Sequence, residues 1–344
     1  MPLQPLNAGL YDLILTDALK HKIQALTTHQ ASLENLDTAN SHERLAEVVG
    51  RQLALILEDL SGQDDQKLLS QLTLVNDLLL DLRQRVSGSA EVVELLANPV
   101  QRLTSIHPQH QTPQAPETGL STPWLFTAGK DTPSLLHELK RELANCNQVD
   151  ILVSFITQTG VRRLEDVLQA ITAVDATGKS CVQIRVLTTT YTGATDPKAL
   201  DYLARLPGCT VKVSLDGRRT RLHAKAWIFK RHTGFGSAYV GSANLSGAAL
   251  LGGLEWTTKF TEHGQADLFI RAQAHFETLW EDGEFQTYDP ENPIHQQALK
   301  VALAREAGTG LLALPTFFDL QPKPYQEEML EQLQREREHG RMKN

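Results

Sequence analysis

Five polar residues between positions 223 and 255 have the types and spacing for chemistry on an anionic group: His223, Lys225, Ser242, Asn244 and Glu255. His223 and Lys225 are two apart in Arg221-Leu-His-Ala-Lys-Ala-Trp-Ile-Phe. The β-branched and aromatic content there predicts a strand, with both side chains on one face. That sets a titratable imidazole, a possible nucleophile, beside a fixed positive charge. Gly241-Ser242-Ala-Asn244 predicts the close of a second strand and the opening of a small-residue helix, where backbone and amide donors can approach an anion closely. Glu255 lies eleven residues beyond Asn244 among apolar neighbours. Buried, it needs a partner, either an imidazole N–H or Lys225 as an ion pair. Together these residues predict a phosphate site containing a nucleophile.

The elements around them must supply a rigid edge. Ser134 to Leu143, Gly160 to Ile171 and Asp196 to Leu206 have helical apolar spacing. Val149 to Ile156, Val182 to Thr190, Val211 to Leu215, Leu222 to Phe229 and Ser237 to Gly241 read as strands. Alternation of the two predicts an α/β domain with a largely parallel sheet flanked by helices, and the turn from Arg231 to Gly236 makes one pair antiparallel. Ligands of such sheets gather beyond the strand ends, so Ser154 to Thr157 and Thr188 to Thr192 are expected walls of the site. Residues 1–95 read as a separate helical subdomain without visible chemistry, and 96–123, rich in Pro, Gln, Thr and Ser, as a linker. Residues 124–288 carry the α/β pattern, and 289–344 a connector and, at Pro324-Tyr-Gln326, the expected start of a further, truncated domain.

Composition narrows the function. The chain has 344 residues and a net charge of −8, so any attraction to nucleic acid must be local. Arg218, Arg219, Arg221 and Lys230 form the strongest basic run. Cys146, Cys181 and Cys209 are few and far apart, which predicts packed thiols in a reducing compartment and no zinc cluster. His107-Pro-Gln-His110 reads as a solvated loop, and no metal site is expected. With no signal-like start and no run long enough to span a bilayer, the expected location is the cytoplasm and no membrane partner is expected.

His223-x-Lys225, Gly241-Ser242-x-Asn244 and then Glu255 resemble the catalytic half-motif of the phospholipase D superfamily, in particular its single-motif nucleases. The resemblance implies a phospholipase D-like fold and a metal-independent phosphodiesterase acting on DNA. In it His223 attacks phosphorus, Lys225 and Asn244 hold the phosphoryl oxygens, and Ser242 and Glu255 orient the imidazoles. It also implies a homodimer, since the chain has one His-x-Lys and a second His223 must protonate the leaving oxygen. Where the superfamily carries Asp five positions after the lysine, this chain carries Lys230, which removes a possible orienting carboxylate. The alternatives are a DNA-binding and dimerisation module without cleavage, and a phosphodiesterase on a lipid or small substrate. The helical start, Leu187 to Asp196 and Pro324-Tyr-Gln326 further resemble the front of bacterial superfamily II DEAD/DEAH-type helicases that carry such a nuclease. That implies adenine recognition by Gln326, with ATP and Mg needed only by a helicase part beyond this chain, and a role in restriction or phage defence.

Overall fold

A computed structural model describes residues 8, 10–39, 41–85, 93–108, 112–127, 133–175, 177–178, 180–216, 221–251 and 255–307. The chain divides into two units, Met1–Ile106 and His107–Asn344.

In the first unit the described elements are three helices: α1 (Asp17–Gln24), α2 (Ser41–Asp59) and α3 (Asp64–Arg85). Thr16 caps α1 by accepting from the Leu19 N–H at 3.2 Å. The Gln71 side chain on α3 donates to the Leu57 carbonyl of α2 at 2.9 Å. Leu72 is the buried apolar residue here, while Leu45, Val49, Leu68 and Leu69 remain exposed.

The second unit holds β1 (Trp124–Phe126), α4 (Leu135–Ala144), β2 (Gln148–Leu152), α5 (Gln158–Ile171), β3 (Gln183–Thr189), α6 (Pro197–Arg205) and β4 (Cys209–Ser214). It continues with β5 (Ala226–Lys230), β6 (Ser237–Gly241), α7 (Gly247–Leu251), β7 (Thr257–Thr261), α8 (Ala266–Glu281), β8 (Phe285–Thr287) and α9 (Pro293–Ala307). Among the described residues the strands form one sheet in the order β1-β7-β6-β5-β2-β3-β4-β8.

The expected largely parallel sheet is corrected. β2 with β3 and β3 with β4 are parallel; the other five of the seven pairings are antiparallel. For β5 and β6 the reason lies in the connection, a turn from 231 to 236 too short for a crossover; β6 and β7 are joined by a longer segment that includes α7 and still run antiparallel. The short edge strands β1 and β8, at three residues each, are too brief to show a period in the sequence.

Alternating residues of the strands face two cores. Val149, Ile151, Val186, Phe229 and Tyr239 pack in the layer with Leu139, Leu164 and Leu200 from α4, α5 and α6. Leu152, Leu187, Ile228 and Ala238 pack with Phe269 and Phe276 of α8 on the other face.

Part of the expected linker is fastened to this domain. Glu138, fully buried on α4, accepts the N–H groups of Glu117 and Thr118 and the Thr118 hydroxyl. Lys259, also buried, donates to Thr118 and to the Gly119 carbonyl, and pairs with Glu142 at 3.2 Å. Of the cysteines, Cys146 is buried and Cys209 intermediate, but Cys181 is exposed rather than packed. No helix of the described residues is long and apolar enough to cross a membrane.

Candidate active site

Strand register brings the candidate residues to one edge of the sheet. Leu152, Ala226, Val240 and Thr258 lie side by side across β2, β5, β6 and β7. The parallel strands β2 and β3 end at this edge, β6 ends there, and β5 and β7 begin there. His223 and Lys225, Ser242 and Asn244, and Glu255 are therefore each within a few residues of the same line, although they come from three separate segments.

His223 and Lys225 do not share a strand face as expected. They lie in the irregular segment leading into β5, with His223 exposed and Lys225 only 4% exposed. The chain curls so that the Lys225 ammonium donates to the His223 backbone carbonyl at 2.5 Å. Burial lowers the Lys225 pKa to about 8, partly offset by the nearby Glu255 carboxylate. Burial, and then the Lys225 charge, lower the His223 pKa below its ordinary 6.5. The imidazole is thus neutral at neutral pH and the lysine still mainly charged, which suits a nucleophile beside an oxyanion holder.

β6 and β7 place the next pair. The Ser242 hydroxyl donates to the Glu255 carboxylate, and it accepts the Trp256 N–H at 3.1 Å. Ser242 N–H in turn donates to the Trp256 carbonyl at 3.0 Å. Gly241 makes this approach possible, because a Cβ there would sit 2.2 Å from the Trp256 carbonyl oxygen. Among the described residues Glu255 makes no direct ion pair with Lys225; its partner is Ser242.

Asn244 is held by a segment far away in sequence. Its Oδ1 accepts the backbone N–H of Ser154 at 3.0 Å and of Phe155 at 3.2 Å, just beyond β2. With the oxygen so engaged, the Nδ2 group makes no hydrogen bond among the described residues and is available as a donor. The next residue, Leu245, bridges to Ile156 and accepts the Thr157 N–H at 2.9 Å. Thr157 caps α5. Gly160 lets that helix lie against the loop, since a Cβ there would come within 2.3 Å of the Leu245 carbonyl oxygen. The backbone amides of Ser154 and Phe155 and the small residue at 160 are contributors that residue type alone could not reveal; the polar strand end was the only signal.

The expected DNA-contacting residues separate. Arg221 stays at the edge, its guanidinium 5.7 Å from the centroid of the Tyr191 ring. Arg218 and Arg219 lie outside the described residues, as does Gln326. Lys230 does not join the site. It lies at the far end of β5, four residues beyond Ala226 and so about 13 Å along the strand at 3.3 Å per residue. There its ammonium sits 2.8 Å from Asp150, which is fully buried, and 3.1 Å from Glu277. Arg185 bridges the same two carboxylates at 2.7 and 2.6 Å. An orienting carboxylate for the imidazole could not have come from position 230. No group of three or more His, Cys, Asp or Glu able to hold a metal occurs among the described residues.

No protein-family model and no curated protein matches the chain. Solved structures do. NucT from Helicobacter pylori is 16% identical over 48% of this chain and 99% of its own, with a TM-score of 0.37. A phospholipase D family member, Nuc from Salmonella typhimurium, is 14% identical over 48% of this chain and 99% of its own, with a TM-score of 0.36. TrmBL2, an archaeal chromatin protein, is 10% identical over 73% of this chain and 72% of its own, with a TM-score of 0.30. With identities this low and TM-scores below 0.5, the chemistry must be read from the site itself.

Proposed function

We propose that the second unit is a metal-independent phosphodiesterase that cuts DNA through a phosphohistidine on His223. The observation that carries this reading is the arrangement at the sheet edge: a neutral imidazole, a buried ammonium donating to that residue's backbone carbonyl, a Ser242–Glu255 pair and an anchored Asn244 amide. A ring nitrogen of His223 attacks phosphorus and forms the P–N bond as the P–O bond to the leaving oxygen breaks. Lys225 and the Asn244 Nδ2 group balance charge on the non-bridging oxygens. The leaving oxygen takes its proton from a second imidazole, which we assign to His223 of a second copy. Water then attacks the phosphohistidine, gives its proton to that second imidazole, and frees the nucleophile. Glu255 and Ser242 orient the imidazoles.

DNA as substrate is supported by Arg221 and Tyr191 beside the site and by the basic run before it. A helicase partner, an ATP-dependent setting and a defence role rest on the sequence resemblance around Gln326.

The test uses single- and double-stranded DNA in excess EDTA, with the wild-type chain beside His223→Ala. Cleavage that survives chelation and disappears in the variant is expected. Equal cleavage by both proteins would overturn the assignment of His223.

A further inference from the structure

Most cations of the second unit are engaged, and the ones that are not fall largely in one place. Lys140 pairs with Asp166, Arg141 with Glu117, Arg205 with Glu291 and Arg231 with Glu142, while Lys212 donates to the Trp280 carbonyl. Among the described residues of that unit, the side chains of Arg162, Arg163, Lys198, Arg271 and Lys300 make no hydrogen bond or ion pair, and all five residues are exposed. Three of these sit at the starts of α5 and α6.

Those starts lie side by side at the site edge. The Asp196 N–H, at the cap of α6, donates to the Ile156 carbonyl at 2.8 Å, one residue before the cap of α5. Ile156 also bridges to Leu245, the neighbour of Asn244. Gly160 of α5 lies directly against that loop, and Arg162 and Arg163 follow it by two and three residues, about 3 to 4.5 Å of helix rise. The core face of α5 runs through Val161, Leu164, Leu168 and Ile171, which leaves both arginines on the solvent side. They line an open cleft between α4 and α5 whose carboxylates are occupied: Asp166 by Lys140, and Glu165 by the Gln169 amide. Lys198 stands in the first turn of α6, and Arg221 over Tyr191 continues the positive charge across the site.

Arg162, Arg163 and Lys198 are thus exposed cations, without protein partners among the described residues, near a phosphate-directed site in a chain of net charge −8. We propose that Arg162, Arg163 and Lys198 form a backbone-phosphate track for nucleic acid beyond the scissile group. This rests on the phosphodiesterase reading for its chemistry, and it deepens that reading: the substrate is a polyanion several nucleotides long, held by its backbone and not by its bases. A small or lipid phosphodiester would leave the track empty.

The test compares wild type with the triple variant Arg162→Gln, Arg163→Gln, Lys198→Gln and with a control double variant Arg271→Gln, Lys300→Gln. Two quantities are read: the slope of log K for a fluorescent DNA oligomer against log salt, and the ratio of kcat/KM on that DNA to kcat/KM on bis(p-nitrophenyl) phosphate. The triple variant should flatten the slope by about 2 to 3, since each cation removed leaves one more phosphate with its counterion, and the double variant should not. The DNA-to-ester ratio should fall at least about tenfold in the triple variant alone. An unchanged slope and ratio in the triple variant, or an equal loss in the control, would overturn the track. Should wild type hydrolyse neither substrate, the proposed function fails, yet the salt slope still decides the track; absence of DNA binding by wild type defeats it as well.

Discussion

The carboxamide oxygen of Asn244 accepts the backbone N–H of Ser154 at 3.0 Å, across 90 residues of chain. A loop after β6 is thereby locked to the end of β2, and the amide nitrogen is turned away from the bond that fixes it. The side chain has two separable roles, one for each end.

Substitution can divide them. Asn244→Asp keeps an oxygen for Ser154 and Phe155 but loses the donor, so the fold should persist while cleavage falls by about 10²- to 10³-fold. Asn244→Leu leaves the buried Ser154 N–H and the partly buried Phe155 N–H unpaired and should also cost about 1–3 kcal/mol in urea unfolding. Equal stability loss in both variants would contradict the division.

The pH profile of kcat/KM should be bell-shaped. One His223 attacks only when neutral and the second copy's His223 protonates the leaving oxygen only when charged, and burial lowers both below 6.5, so both limbs lie on the acid side of neutrality. Lys225 balances phosphoryl charge only when protonated, so a further fall should follow near its pKa of about 8. Lys225→Arg should move that further fall upward even if the rate drops. A further fall unmoved in that variant would assign it to another group.

Placing aspartate at position 230 should harm the fold and leave cleavage alone. Lys230→Asp sets a third carboxylate beside Asp150 and Glu277 in place of their ammonium partner. A loss of about 1–3 kcal/mol of stability is expected, with kcat on DNA unchanged while the protein is folded. A gain in cleavage would show that position 230 reaches the site after all.

Acid should loosen this same cluster. Arg185 and Lys230 lower the Glu277 pKa from 4.5 to about 2, the hydrogen bond from Arg185 being the largest cause. A depressed carboxylate contributes stability above its unfolded pKa and loses it as pH falls through the folded value. Glu277→Gln should therefore flatten the decline in unfolding free energy between about pH 4.5 and 2. The effect is modest, since the Glu277 side chain is 45% exposed.

The candidate residues were easier to pick out in the sequence than the scaffold. His223, Lys225, Ser242, Asn244 and Glu255 stand out by side-chain type and spacing, and the strand register brings their segments to one end of the sheet. Helices with a strong apolar period, such as α5 and α6, were equally legible. Pairing direction was not, because buried strands such as Val149 to Leu152 look alike whichever way their neighbours run. The burial of Lys225 was hidden too: a two-residue period assumes extended chain, and the segment before β5 curls instead. Glu138 and Lys259 were invisible as anchors, since a charged residue in a sequence does not disclose that its partner is a backbone amide or carbonyl more than a hundred residues away in one case.

β5 acts as a spacer bar between two unlike jobs. At one end it follows the segment that carries His223 and Lys225, and at the other its Lys230 joins β2, β3 and α8 through a charge cluster with Asp150, Arg185 and Glu277. A motif written as one line of text treats the two ends as a single unit, but in space they answer to different neighbours. The charge at position 230 answers to Asp150 and Glu277, which require a cation there, and not to the segment before Ala226.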